Sequence, residues 1–337
     1  MSYLVLPSLI SAKGGGGRSS GGSGVSGSRG GGSDDWDAPP MTKALFAFHI
    51  IWTIATVALF LVTVLRLVRY RTKPVPRGPY ILLAVVSFMS ALSYILGAIP
   101  IRATFYPDVY LKMMESSFMV ADFTRAFLPG VILWLVHIRG ATFYASQPAG
   151  GVVPLVIRPW KRVVDWALVS ATFVHYIAFQ AYDLDRNLDY FRSMFDMNAL
   201  MNARIEYEKS TKIISKLQHV NTTFVLLLAI NVIASLIALV AAHRRSKFRD
   251  PVIRCLFVYA TPFVFITAFM FLFGDIWSSI KFPNYNEAFS LASFIIDGLC
   301  TVGVITVVWW TIGLHTIMEP ASSTSHLNPP SYSAEKA

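Results

Sequence analysis

The sequence predicts an all-α membrane protein, a bundle of seven transmembrane helices with the N-terminus outside, the C-terminus in the cytosol and a disordered tail at each end. Three observations predict it. Of the 337 residues, 54% are hydrophobic and only 14% charged, whereas a soluble domain carries about a quarter charged residues. The apolar residues gather in seven blocks, each close to the roughly 20 residues that cross about 30 Å of hydrocarbon. The cationic residues between the blocks favour alternate loops, which is the signature of a fixed orientation in the bilayer.

Residues 1–43 are read as the outer tail. The apolar run within Met1–Ala12 lacks the basic lead of a signal peptide, so no cleavage is expected. Residues 14–33 are almost entirely Gly and Ser. Such a stretch cannot bury enough apolar area to offset its ordering entropy, and disorder is expected. Asp34, Asp35 and Asp37 then lead into the membrane domain, 44–312.

The predicted spans are about 44–65, 80–99, 118–138, 163–183, 220–241, 252–273 and 289–312. The third holds Asp122 and Arg125, and the fourth holds Asp165 and His175. Each central charge costs about 2.5–3.5 kcal/mol on insertion scales, which the surrounding Leu, Ile, Phe and Val offset. Asp165, at the end of its span beside Lys161 and Arg162, is expected to be solvated or paired within its loop.

Loop charge sets the orientation. The first loop carries Arg66, Arg69, Arg71, Lys73 and Arg77, the third Arg139, Arg158, Lys161 and Arg162, and the fifth Arg244, Arg245, Lys247 and Arg249. The second has only Arg102 and Lys112, and the sixth only Lys281. Odd loops therefore face the cytosol. Tyr70, Tyr80, Trp160, Trp277, Trp309 and Trp310 lie near block ends, where interfacial aromatics belong. The fourth loop, 184–219, is long, with apolar residues at roughly helical spacing and nearly balanced charge. It is expected to form an outer amphipathic helix running on into the fifth span. A packed surface helix and a lid over the bundle are both open readings of it.

Polar groups within the bilayer point to function. With this orientation Asp122, Arg125, His175, Gln180, Asp297 and His49 all fall in the outer half and form the candidate ligand-binding set. Asp122 and Arg125, three apart, share a helical face. Two readings stand: a polar pocket open to the outside, or a structural ion pair of Arg125 with Asp122 or Asp297 that neutralises itself between helices. Pro129-Gly130 and Pro262 are expected to loosen or kink their helices. Asn221-Thr222-Thr223 matches a glycosylation sequon but sits too close to the membrane to be a good acceptor.

Several chemistries are set aside. No apolar block contains a Lys for a retinal Schiff base. The seven histidines include no i, i+3 or i+4 pair to form a helical metal or haem site. The two cysteines, Cys255 and Cys300, fall within or beside apolar blocks and offer no outer disulfide. No phosphate loop or Ser nucleophile elbow lies between a strand and a helix. Neither an enzyme nor a cofactor is expected. The net charge of +10 is a topology signal rather than a nucleic-acid footprint.

The tail 313–337 is rich in Ser and Pro and is expected to be disordered and cytosolic. Its Pro329-Pro330-Ser331-Tyr332 resembles a PPxY ligand of WW domains, in which a polyproline turn docks on an aromatic groove. That resemblance implies a WW-domain ubiquitin ligase as partner, with Lys336 as a nearby acceptor.

Over 44–312 the layout and loop charge resemble the receptor-like seven-helix integral membrane proteins of fungi. The resemblance implies an orphan receptor at the plasma membrane with a small outer ligand. A membrane carrier and an adaptor recruiting a ligase through its tail are the alternatives. The chain departs from rhodopsin-like receptors: helix three ends in His137-Ile138-Arg139 rather than an acidic-Arg-aromatic triplet, and helix seven lacks an Asn-Pro-x-x-Tyr turn. Coupling to a G protein is thus an analogy from fold alone.

Overall fold

A computed structural model describes residues 39–71, 76–102, 107–145, 155–193, 197–245, 250–280 and 287–317. The expectations for the Gly/Ser-rich tail, the Pro-Pro-x-Tyr motif and Lys281 lie outside these residues.

The described residues form seven long helices. They are α1 (Pro40–Arg69), α2 (Arg77–Arg102), α3 (Pro107–Ala145), α4 (Pro159–Ser193), α5 (Met197–Arg245), α6 and α7 (Glu287–Ile317). α6 is composite: Pro251–Cys255, a π-helical turn over Leu256–Ala260, then Thr261–Ile280. All seven are long and apolar enough to cross a membrane. Successive helices pack side by side from α1 to α7, and α7 returns to α1 to close the ring. α3 also touches α5 and α7, and α2 touches α7, which draws α3 towards the middle. The end at which α1 begins is called the N face and the opposite end the C face.

The exterior is what lipid requires. Leu65, Val68, Val163, Val174 and Ile54 each expose more than 60% of their surface. The inward residues of α1 are instead His49, Thr56 and Thr63, seven apart. Thr56 and Thr63 donate to the carbonyls of Trp52 and Leu59, both at 2.7 Å, which satisfies hydroxyls that would otherwise meet hydrocarbon. α2 turns Ser87, Ser90, Ser93 and Gly97 inward. Small residues let helix backbones approach closely where no hydrophobic effect drives association. At Gly97 a Cβ would collide with the His49 ring, and at Gly298 with the Trp52 indole.

The C-face half is densely filled. Leu83, Val131, Leu135, Leu236, Leu256 and Ile305 are all but inaccessible and belong to one core spanning α2 to α7. Ion pairs close this end. Arg139 of α3 donates from Nε to Asp250 at 2.6 Å, and Asp250 caps α6 by accepting from the amides of Val252 and Ile253. Arg66 of α1 stacks on Trp309 of α7 with its guanidinium carbon 3.8 Å from the ring centroid.

Of the two states expected for Asp165, solvated or paired near Lys161 and Arg162, the structure shows the pairing with Lys161 but not the solvation. Asp165 is buried beneath three partners from three helices: His137 Nε2 at 2.7 Å, Asn231 Nδ2 at 2.7 Å, and Lys161. Burial in a low-dielectric interior forces a carboxylate to be satisfied by partners rather than by water.

At the N face α4 and α5 run beyond the apolar spans. α5 has 49 residues, roughly 74 Å at 1.5 Å per residue, against about 30 Å of hydrocarbon. The segment 184–219 is shared between the two helices: α4 continues to Ser193 and α5 begins at Met197. They are joined through Arg186, which stacks on the Tyr207 ring at 4.2 Å and donates to the Tyr207 hydroxyl at 3.2 Å. Asn221, the sequon residue, is buried within α5, so it is no accessible acceptor for a glycan.

Candidate functional site

The site lies in the N-face half, where α4 and α7 each meet α3. Arg125, on α3, is its centre. One guanidinium nitrogen donates to Asp122 Oδ1 at 2.8 Å, one turn earlier on the same helix. The other donates to Asp297 Oδ2 on α7, also at 2.8 Å. Gln180 of α4 donates from Nε2 to the second oxygen of Asp122 at 2.9 Å. Three helices are therefore pinned by charge-assisted hydrogen bonds, roughly twice as strong as neutral ones.

Asp122 is buried, whereas Arg125 and Asp297 each keep a quarter of their side-chain surface open. That opening faces two cavities. The outer one has a volume of about 110 Å³ and is lined by polar and aromatic groups, among them His49, Ser93, Tyr94 and Phe294. The deeper one, about 50 Å³, is lined mostly by apolar groups such as Leu128, Leu228, Val264 and Val304. Thr124, Arg125, Asp297 and Thr301 belong to both linings, so the Arg125–Asp297 bridge is the partition between the cavities. A buried water needs about 10–15 Å³ counted in this way, so each cavity has room for several.

Of the residues singled out from the sequence, Asp122, Arg125, Gln180 and Asp297 come together in this network. His49 lies beside it on the outer cavity wall. Its Nδ1 pairs with the Tyr94 carbonyl at 3.1 Å, and its ring packs on Phe294 with centroids 4.5 Å apart. His175 is not brought into the site. Its Nε2 pairs with the Leu217 carbonyl of α5 at 3.2 Å, and its ring tilts against Phe224. The expected structural ion pair is also present, with Arg125 bound to both aspartates at once, so the pair and the pocket wall are the same atoms.

The structure adds residues that sequence reading passed over. Tyr176 of α4 is buried against the deeper cavity, and its hydroxyl meets no partner among the described residues. Tyr is common in membrane proteins as an interfacial anchor, so only its mid-helix position, one turn before Gln180, could have marked it. Glu115 of α3 is also buried, with Oε2 unpartnered among the described residues. Asp183 and Arg186 pair at 3.3 Å one turn beyond Gln180 on α4. Among the described residues no three His, Cys, Asp or Glu side chains converge as a metal would require. Cys255 and Cys300 are buried free thiols.

The fold and this network define a multi-pass α-helical membrane protein with a charged, cavity-flanked centre in one half and a close-packed core in the other. Comparison of the chain with protein-family models, with curated proteins and with solved structures returns no match.

Proposed function

We propose that the protein is a receptor-type membrane protein, oriented with the N face outside, that responds to a small molecule entering from that face. The observation that carries this reading is the Arg125–Asp297 bridge, which joins α3 to α7 at the wall between two cavities. A molecule that competes for either side chain changes the strain between those helices, and a receptor needs such a coupling between a pocket and helix positions. The C-face half argues for a receptor over a carrier. A carrier must open to each side in turn, which here would require parting buried residues such as Leu135, Leu236 and Ile305 and breaking Arg139–Asp250, which ties α3 to the start of α6. The basic loops at the C face, inside the cell in this reading, would report the movement.

The test uses paired spin labels at the exposed positions Ala141 on α3 and Arg254 on α6, in protein whose two native cysteines are replaced by serine. Asp297→Asn removes the charge that holds α7 to Arg125 and is expected to shift the label separation by about 2 Å or more. An unchanged distance distribution, together with solute uptake by vesicles containing the protein, would replace the receptor reading with a carrier.

A further inference from the structure

We infer that the paired cavities bind a small amphipathic amine, its ammonium held by Asp297 and its apolar body lodged in the deeper cavity. This rests on the reading of the N-face half as a ligand site and names the ligand's chemical class.

Charge is the first argument. The network contains two carboxylates, Asp122 and Asp297, and one guanidinium, Arg125. When all are ionised, one negative charge is left over inside the bundle, where an unpaired charge is costly. Glu115 and Asp183 lie nearby with Arg186 as their cation, so neighbouring groups add no net positive charge. A cation is the occupant that balances this site. An anion would find donors left on Arg125, whose terminal nitrogens each give one hydrogen bond to an aspartate and whose Nε has no partner among the described residues, but it would meet them beside two carboxylates that repel it.

The surroundings select an organic cation. A bare metal ion asks for several oxygen ligands, yet the deeper cavity is walled mainly by Leu128, Leu228, Val264 and Val304. An ammonium group needs three acceptors and tolerates aromatic faces. Asp297 offers a carboxylate, Thr301 a hydroxyl, and Phe271 an aromatic ring, already 5.5 Å from the Arg125 guanidinium carbon. The buried Tyr176 hydroxyl, without a partner among the described residues, lines the same cavity and is an acceptor in waiting. Leaving such a group unmade inside a protein costs more than an average hydrogen bond returns, so a ligand that satisfies it gains affinity.

The experiment compares three short-chain probes that differ in charge on the purified full-length protein in lipid nanodiscs: n-butylammonium, pentanoate and 1-pentanol. Saturable elevation of the thermal unfolding temperature is the readout. Butylammonium is expected to raise it, with no saturable effect from the other two. Asp297→Asn, which leaves Arg125 neutralised by Asp122, should weaken the amine at least tenfold. Ala229→Leu fills the deeper cavity without touching the ion network and should do the same. The inference is overturned if pentanoate or pentanol stabilises as well as the amine, if sodium alone reproduces the effect, if no probe acts, or if the amine acts equally on either variant. Should Asp297→Asn not fold, the comparison of probes on the unaltered protein and Ala229→Leu still decide. A winning neutral or anionic probe would remove the amine and leave the receptor reading. An unchanged α3–α6 distance would remove the receptor reading and leave the amine site.

Discussion

Asp165 accepts from His137, Lys161 and Asn231, and so ties α4 to α3 and α5 through one carboxylate. Removing it leaves the part-buried Lys161 with only the Asn231 Oδ1 acceptor, and His137 and the Asn231 amide nitrogen without theirs. Breaking a buried ionic cluster in this way costs about 3–5 kcal/mol. Asp165→Ala is therefore expected to lower the unfolding temperature of the purified protein sharply, and Asp165→Asn, which keeps an acceptor, to lower it less. Equal effects would mean that shape rather than charge holds the cluster. Gly97 makes a different kind of prediction. Its bare Cα is what lets α2 approach the His49 ring. Gly97→Val should push α1 from α2 at a cost of about 1–3 kcal/mol, read as thermal destabilisation, and should enlarge or distort the outer cavity. Unchanged stability would show that His49 swings aside freely.

At the scale of the element, α6 stands out. The π-helical turn Leu256–Ala260 immediately precedes Thr261-Pro262. Proline supplies no amide proton for the carbonyl four residues back and crowds it, and a widened turn relieves both effects. The amide of Thr261 accordingly donates to the Leu256 carbonyl, five residues earlier. Such turns are local weak points in a helix. Pro262→Ala should restore regular pairing, slow hydrogen exchange over 256–262 and change overall stability by no more than about 1 kcal/mol. Exchange as fast as in the unaltered protein would show that packing, not proline, sets the turn. The kink expected at Pro262 from sequence thus takes the form of a π-turn, while α3 carries Pro129 within one uninterrupted helix. Nothing in the residue itself distinguishes the two prolines. Their neighbours do: Gly130, one residue on, packs against Val169 and Trp166 of α4.

For the whole molecule, loop charge predicts an orientation. Epitope tags on intact cells should find the N-terminus outside and the C-terminus inside. Both ends on one side would remove the outer pocket and the cytosolic tail together. The Pro-Pro-Ser-Tyr motif makes a separate prediction. If a WW-domain ligase reads it, Tyr332→Ala should raise protein abundance or alter its membrane distribution, and the same change should abolish capture by an isolated WW domain. Unaltered abundance and capture would leave the tail without that role.

The sequence by itself determined the seven spans and, through loop charge, the expected orientation. Both depend on quantities summed over short local stretches: the transfer free energy of about 20 residues and the cation count of a loop. It also marked Asp122, Arg125, Gln180 and Asp297, because a polar side chain in an apolar block is conspicuous wherever the block ends up. Only the tertiary structure decided who meets whom. Arg125 and Asp297 are 172 positions apart, and whether they touch depends on which face α7 turns towards α3. The same packing turned His175 towards α5, buried Asp165 and Tyr176, and left two cavities on either side of one ion pair. Those outcomes depend on helix rotation and close packing, properties of the assembled bundle that no single stretch of chain encodes.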